Sequence, residues 1–126
     1  MTISAELAET RADLFAVLAQ IPDVTVYGHE PDAADLPAIW VDQPNAARAD
    51  PATTVAVGWD VVVVVDVAAA TDVTDQLDAL ICVVVDNVAK GVAGVRFDQW
   101  TRGTRPVGGV NVPAATVSWL SLHVIC

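Results

Sequence analysis

The sequence predicts an α+β domain: a mainly antiparallel sheet of about five strands with two helices, in the order α-β-β-β-α-β-β. Three observations lead there. Apolar residues alternate with a period of two in "TVAVGWDVVVVVDV" (54–67) and "AATVSWLSLHVI" (114–125), as strands require. Two other segments, about 4–20 and 71–90, repeat their apolar residues at helical spacing instead. The remaining connections are hairpins and short loops, which favour antiparallel pairing.

In the first helix Leu7, Leu14 and Leu18 share a stripe flanked by Phe15, Glu6 and Glu9 suit the positive N-terminal end, and Pro22 closes the segment. "VTVY" (24–27) and "AIWVD" (38–42) read as short strands around a Pro-bounded loop, "GHEPDAADLP" (28–37). "QPNAARADPAT" (43–53) reads as an exposed loop, because small, polar and Pro residues leave it little to pack. The long strand then shows Val55, Val57, Trp59, Val61, Val63, Val65 and Val67 to one side, and Ala56, Gly58, Asp60, Val62, Val64 and Asp66 to the other.

"TDVTDQLDALICVVVDNVAK" (71–90) is expected to be a helix despite its valines. Val73, Leu77, Leu80, Val84 and Val88 form one stripe, Thr71 or Asp72 can cap the start, and Gly91 can stop it. Cys82 is placed on the apolar side. From Val95 to Arg102 both faces of a strand are mixed, and "RGTRPVGG" (102–109) is turn chemistry for a hairpin tip. The last strand carries Val117, Trp119, His123 and Ile125 on one side, and Leu120, Leu122 and Val124 on the other.

The 126 residues fit a single domain, 1–126, large enough to bury a core without staples. With 54% hydrophobic and 17% charged residues, the chain is not of the disordered class. No apolar run approaches the ~20 residues of a membrane-spanning helix, and "MTISAELAET" lacks a signal peptide's basic and apolar regions, so cytoplasmic synthesis and no membrane partner are expected. Two cysteines (Cys82, Cys126) and two histidines (His29, His123) have no zinc-ligand spacing, and a disulfide between the cysteines is not expected.

A formal net charge of −10 argues against sequence-specific grip on nucleic acid, which relies on clustered Lys and Arg. Every acidic residue lies at or before Asp98, whereas Lys90, Arg96, Arg102 and Arg105 sit in the last third. That polarity can orient one copy against another or against a partner.

Catalytic motifs are weak. "HEPD" (29–32) pairs a histidine with carboxylates, but in a Pro-bounded loop it reads as solvated. Asp60, Asp66 and Asp98 could gather a divalent metal in an enzyme, yet no spacing demands it. Ser118, Ser121 and His123 lack the Gly-flanked nucleophile turn of hydrolases, and His123 reads as completing a sheet surface. "GVAG" and "GG" read as turns, because no phosphate-binding Lys follows them. Trp40, Trp59, Trp100 and Trp119 lack the basic company of a base-stacking platform, which favours core or protein contacts. The expectation is a non-enzymatic protein with no cofactor and no metal.

The clue to function is the second face of the long strand. Val62 and Val64 interrupt a face that water would normally touch, and the last strand is apolar there too. Either the chain itself covers them, with one helix on each face or the long loops folded back, or another copy or a partner packs on that face. Candidate interface residues are Val62, Val64, Leu120 and Leu122, with Trp100, Arg102 and Arg105 on the late strand and its turn.

The order of these segments resembles a known family. An opening helix leading into "IPDVTVYGHEPDAADLPAIWVDQP", a long apolar strand, and "TDVTDQLDAL" starting the second helix look like the tail terminator proteins of long-tailed bacteriophages, especially those of actinobacterial hosts. The resemblance spans nearly the whole chain in length and element order, and rests on patterned segments, not catalytic residues. It implies a virion protein forming a hexameric homo-oligomer on the finished tail tube. Such a ring stops polymerisation of the tube protein, meets the head–tail connector protein, and lets DNA pass. Another neck or head-completion component is the alternative within the structural class.

Overall fold

The computed structural model describes residues 3–42, 46–49, 54–66 and 73–124. Its elements are α1 (Ile3–Leu18), β1 (Thr25–Tyr27), β2 (Ala38–Val41), β3 (Ala46–Ala49), β4 (Thr54–Val64), α2 (Val73–Gly91), β5 (Val95–Val107) and β6 (Val110–Val124). The class is α+β as expected. One sheet runs β1-β2-β4-β6-β5, with β3 also paired to β4. Among the described residues the β1–β2 pairing is parallel and the others are antiparallel.

Two elements differ from the sequence expectation. Part of the segment read as an exposed loop is the short strand β3, lying antiparallel to Val55–Gly58 on the same edge of β4 that β2 uses further along. The broad turn expected at 102–109 shrinks to two residues: Val107 pairs with Val110, and Gly108 and Gly109 take positive φ (58° and 83°). Two such residues form a hairpin turn whose twist matches that of the strands, so β5 continues through Arg105 and Pro106. Pro106 is tolerated because β5 is an edge strand and pairs on one side only. The proposed caps Thr71 and Asp72, and also Val67, Ile125 and Cys126, lie outside the described residues.

Both helices pack on one face of the sheet. Leu14 and Leu18 of α1 and Leu77, Ile81, Val84 and Val88 of α2 meet Ile39, Val41, Val57, Trp59, Val61, Val63, Val117 and Trp119. Ile81, not Leu80, carries the second turn of the α2 stripe, and Leu80 is only half-buried. The stripe is therefore rotated toward 77, 81, 84 and 88, which leaves Cys82 exposed on a flank instead of in the core. Gly91 ends α2 where a β-carbon would stand 2.8 Å from a methyl of Val17, so its smallness lets the helices approach. Gly94 (φ 84°) then makes the turn into β5.

On the second face the structure takes the intramolecular alternative, with a long loop folded back, and removes Val62 and Val64 from the candidate interface. Val62 and Val64 are both 0% exposed, packed with Ala38, Trp40, Val112 and Ala114 under Tyr27, Ala34, Leu36 and Val107. The cover is the chain's own: the 28–37 loop folds back, and the β5–β6 hairpin curls across from the other side. The Asp35 N–H donates to the Tyr27 hydroxyl at 3.0 Å, which holds the loop. Arg105 donates to Asp42 at 3.1 Å and lies 3.6 Å from Glu30, which holds the hairpin.

A charge at Val62 would therefore be buried without a partner. Val62→Asp is expected to lower unfolding free energy by at least about 3 kcal/mol in urea titration, whereas Asp32→Ala, on the exposed loop, should change it by no more than about 0.5. A loss under about 1 kcal/mol for Val62→Asp would contradict this packing.

Candidate assembly surface

Of the seven interface candidates, Val62 and Val64 are removed by the burial just described. Leu120 is half-buried and Leu122 is 59% exposed, at the end of the second face that the hairpin does not reach. Arg105 is engaged within the chain. Arg102 pairs with Asp78 across the space between β5 and α2. Trp100, 49% exposed, stands on the helix-bearing side of β5, opposite Val117 in the ladder.

These positions follow from the sheet order. β5 is the outer strand, paired among the described residues with β6 alone, and from Arg96 through Thr104 every residue is exposed. Among the described residues its outward main-chain groups have no strand partner, the arrangement that invites a further chain. A bulge between Phe97 and Gln99 interrupts the ladder. Phe97 and Trp100 meet with ring centres 5.6 Å apart, and Phe97 also stands edge-on to buried Trp119 at 5.6 Å. The exposed pair is thus braced from the core.

Beside it runs an apolar groove of about 610 Å³, floored by Ile81, Cys82, Val85 and Ala89 of α2 and walled by Trp100. The Arg102–Asp78 pair lies on its rim. The opposite flank of α2 holds a second groove of about 240 Å³, formed by Leu80 and Val83 with Ile21, Pro22, Val24 and Pro37 beside β1. Val83 is 39% exposed there. Sequence reading missed Phe97, Cys82, Val83 and Val85 as surface residues. The available signal was the run "LICVVV" (80–85): a helix with one buried stripe needs fewer apolar residues than that.

The polar groups with catalytic potential are otherwise occupied. The indole N–H of Trp59 donates to Ser121 Oγ at 2.8 Å, and Ser121 Oγ is 2.7 Å from His123 Nε2. His123 Nδ1 lies 3.8 Å from Glu6 of α1, too long for a hydrogen bond. Instead of finishing a surface, His123 is buried, as is Ser121. A Ser–His–carboxylate row is the order of nucleophilic catalysis. Here the hydroxyl already serves a buried indole, and the row joins β4, β6 and α1 through the core. Ser118 donates to Asp60 at 2.8 Å on the other face. Among the described residues no three His, Cys, Asp or Glu side chains come together in a way that could hold a metal ion.

Arg11 was also unanticipated. From α1 it donates to the carbonyls of Gly28 (3.3 Å) and Asp42 (3.2 Å), and its guanidinium lies over the Trp59 ring at 5.7 Å. It fastens α1 to the ends of β1 and β2. No helix among the described residues is long and apolar enough to cross a membrane.

The sequence matches no known family model and has no significant match among curated proteins. The surface must therefore be read on its own geometry.

Removing the Ser121 hydroxyl would strand the Trp59 N–H inside the core. Ser121→Ala is expected to destabilise the fold by about 1–3 kcal/mol in chemical denaturation. Ser118→Ala, at a half-buried position, should cost about 1 kcal/mol or less, and equal losses at the two sites would contradict the assigned roles.

Proposed function

We propose that this chain is a structural component of a phage tail, a terminator that assembles into a hexameric ring on the tail tube, stops its growth and joins it to the head connector. The observation that carries the reading is the braced aromatic pair Phe97–Trp100, left exposed on an unpaired edge strand beside an apolar groove. A chain that worked alone would leave this apolar area in water for no gain, whereas exposed apolar patches of this kind mark surfaces for protein contact. The element order that resembles tail terminators supports the particular role. So does the charge: a ring of chains each carrying −10 would repel DNA phosphates and let a genome pass without adhering.

The second face no longer supplies the main contact, because the chain roofs most of it. Leu122, with half-buried Leu120, remains available there as a smaller contact for an adjoining ring. Trp100 is the centre of the proposed subunit surface, and Arg102 shapes the groove through its pair with Asp78.

The test is light scattering with negative-stain electron microscopy, alone and with assembled tail tubes. Rings of about six copies that cap one end of the tube are expected. Binding to heads but not to tubes would favour a head-completion role, and a monomer at high concentration that ignores both would contradict the proposal.

A further inference from the structure

A polar cavity of about 170 Å³ lies between α1, the last residues of β6 and the turn from α2 into β5. Glu6, Glu9 and Asp13 line it from α1, and Ser121 and His123 line it from β6. Spacings of three and four residues put the three carboxylates on one stripe of the helix, where like charges oppose helix formation. No Lys or Arg lines the cavity. Neither Glu9 nor Asp13 has an ion-pair partner among the described residues. Thr10 donates its hydroxyl to the Glu6 carbonyl at 3.0 Å, so it offers the carboxylates no proton.

A row of acids alone would be a solvated helix face, and His123 sets this one apart. The residue is 5% exposed. Its tautomer follows from the order of hydrogen bonds: the Trp59 N–H donates to Ser121 Oγ at 2.8 Å, which leaves the serine hydroxyl to donate to His123 Nε2 at 2.7 Å. The proton of the neutral ring then sits on Nδ1, which faces Glu6 Oε1 at 3.8 Å, beyond hydrogen-bond reach. A buried residue thus directs an N–H without an acceptor into a cavity walled by carboxylates. Such orphaned buried donors are rare, because each gives up its hydration for nothing.

The two needs are opposite in kind. The carboxylates call for a cationic donor, and the imidazole N–H calls for an acceptor close to it. A metal ion meets neither need in full, since no three ligating side chains gather among the described residues and a protonated nitrogen does not ligate. An ammonium alone meets only the first.

We infer that this cavity binds an aminoacyl group, with its ammonium among Glu6, Glu9 and Asp13 and its carbonyl oxygen accepting from His123 Nδ1. An ammonium carries three donors, one for each carboxylate, and in an aminoacyl group the carbonyl carbon is only two bonds away. The start of a peptide chain presents this pair of groups, and so does a free amino-acid amide. The edge of β6 favours the peptide. β5 begins opposite Ser121, so among the described residues Leu122 and His123 have no strand partner on that side, and an extended chain leaving the cavity can pair there.

The test is titration of the full chain, followed by the NMR signals of the His123 ring. Alaninamide is expected to shift them with a Kd of about 1 mM, the scale that so few atoms allow, and tri-alanine amide should bind several-fold more tightly. N-acetylalaninamide, which lacks the ammonium, should bind about tenfold more weakly than alaninamide, and ethylamine, which lacks the carbonyl, about fivefold more weakly. Glu9→Gln and Asp13→Asn, at exposed positions, should each weaken alaninamide about fivefold, with the circular dichroism spectrum unchanged. His123→Gln, which keeps a polar contact toward Ser121 but has no group at the place of Nδ1, should bind alaninamide no better than ethylamine. If that buried substitution unfolds the chain, the ligand series on the wild type still decides.

Tri-alanine amide that binds only as well as alaninamide would keep the aminoacyl site and assign it to free amino-acid derivatives. Acetylated and free amides that bind equally would overturn the inference, as would equal binding of alaninamide and ethylamine. Alaninamide binding that survives both Glu9→Gln and Asp13→Asn undiminished, or no shift of the His123 ring at any soluble concentration, would overturn it too.

Discussion

Between Val61 and Val65 no side chain can be left in water without losing roughly 1.5 to 3 kcal/mol of burial, and all five valines are fully buried. This constraint organises the molecule. Strand geometry sends neighbouring valines to opposite faces, so β4 needs a roof on both sides. The helices supply one through Leu14, Leu18, Leu77, Ile81, Val84 and Val88. The other comes from the 28–37 loop and the curled β5–β6 hairpin, held by the Arg105 contacts to Asp42 and Glu30. β6 can bridge the two because it pairs with β4 along the whole strand, from Thr54–Val124 to Val64–Ala114.

Closing the second face in this way has a consequence for function. The hairpin bends over the sheet at its tip, where Arg105 is bound, while the first part of β5 stays at the margin with its outer side free. Phe97 and Trp100 belong to that free part. The apolar surface left for partners is thus displaced from the face of the sheet to its edge and to the flanks of α2, where the Arg102–Asp78 pair frames the groove.

Much of this was legible in the sequence, and the rest was hidden for identifiable reasons. Alternation fixed both faces of β4, and helical spacing identified α1 and α2, because each pattern is local. A folded-back loop over Val62 and Val64 was one of the alternatives the sequence left open, but the choice was not legible, since it depends on how far a long hairpin coils and on which loop residues, here Ala34 and Leu36, meet it from more than twenty residues away. β3 escaped notice because it is four residues long and completes an edge beside β2. Ile81 was passed over for Leu80 because one step along a helix turns a side chain by only about 100°, and two adjacent apolar residues compete for the same stripe. Of the candidate site, Trp100 could be placed on a strand from sequence, but its pairing with Phe97 required the bulge at Asp98 to be known.

Hydrogen–deuterium exchange, compared between dilute and concentrated protein, tests the central claim most directly, because it reads both the covered face and the open edge in one chain. The account predicts that amides around Val62 and Val64 are protected at every concentration, while protection at residues 96–100 appears only on association. Amides at Val62 and Val64 that exchange freely in dilute protein and become protected on association would contradict it.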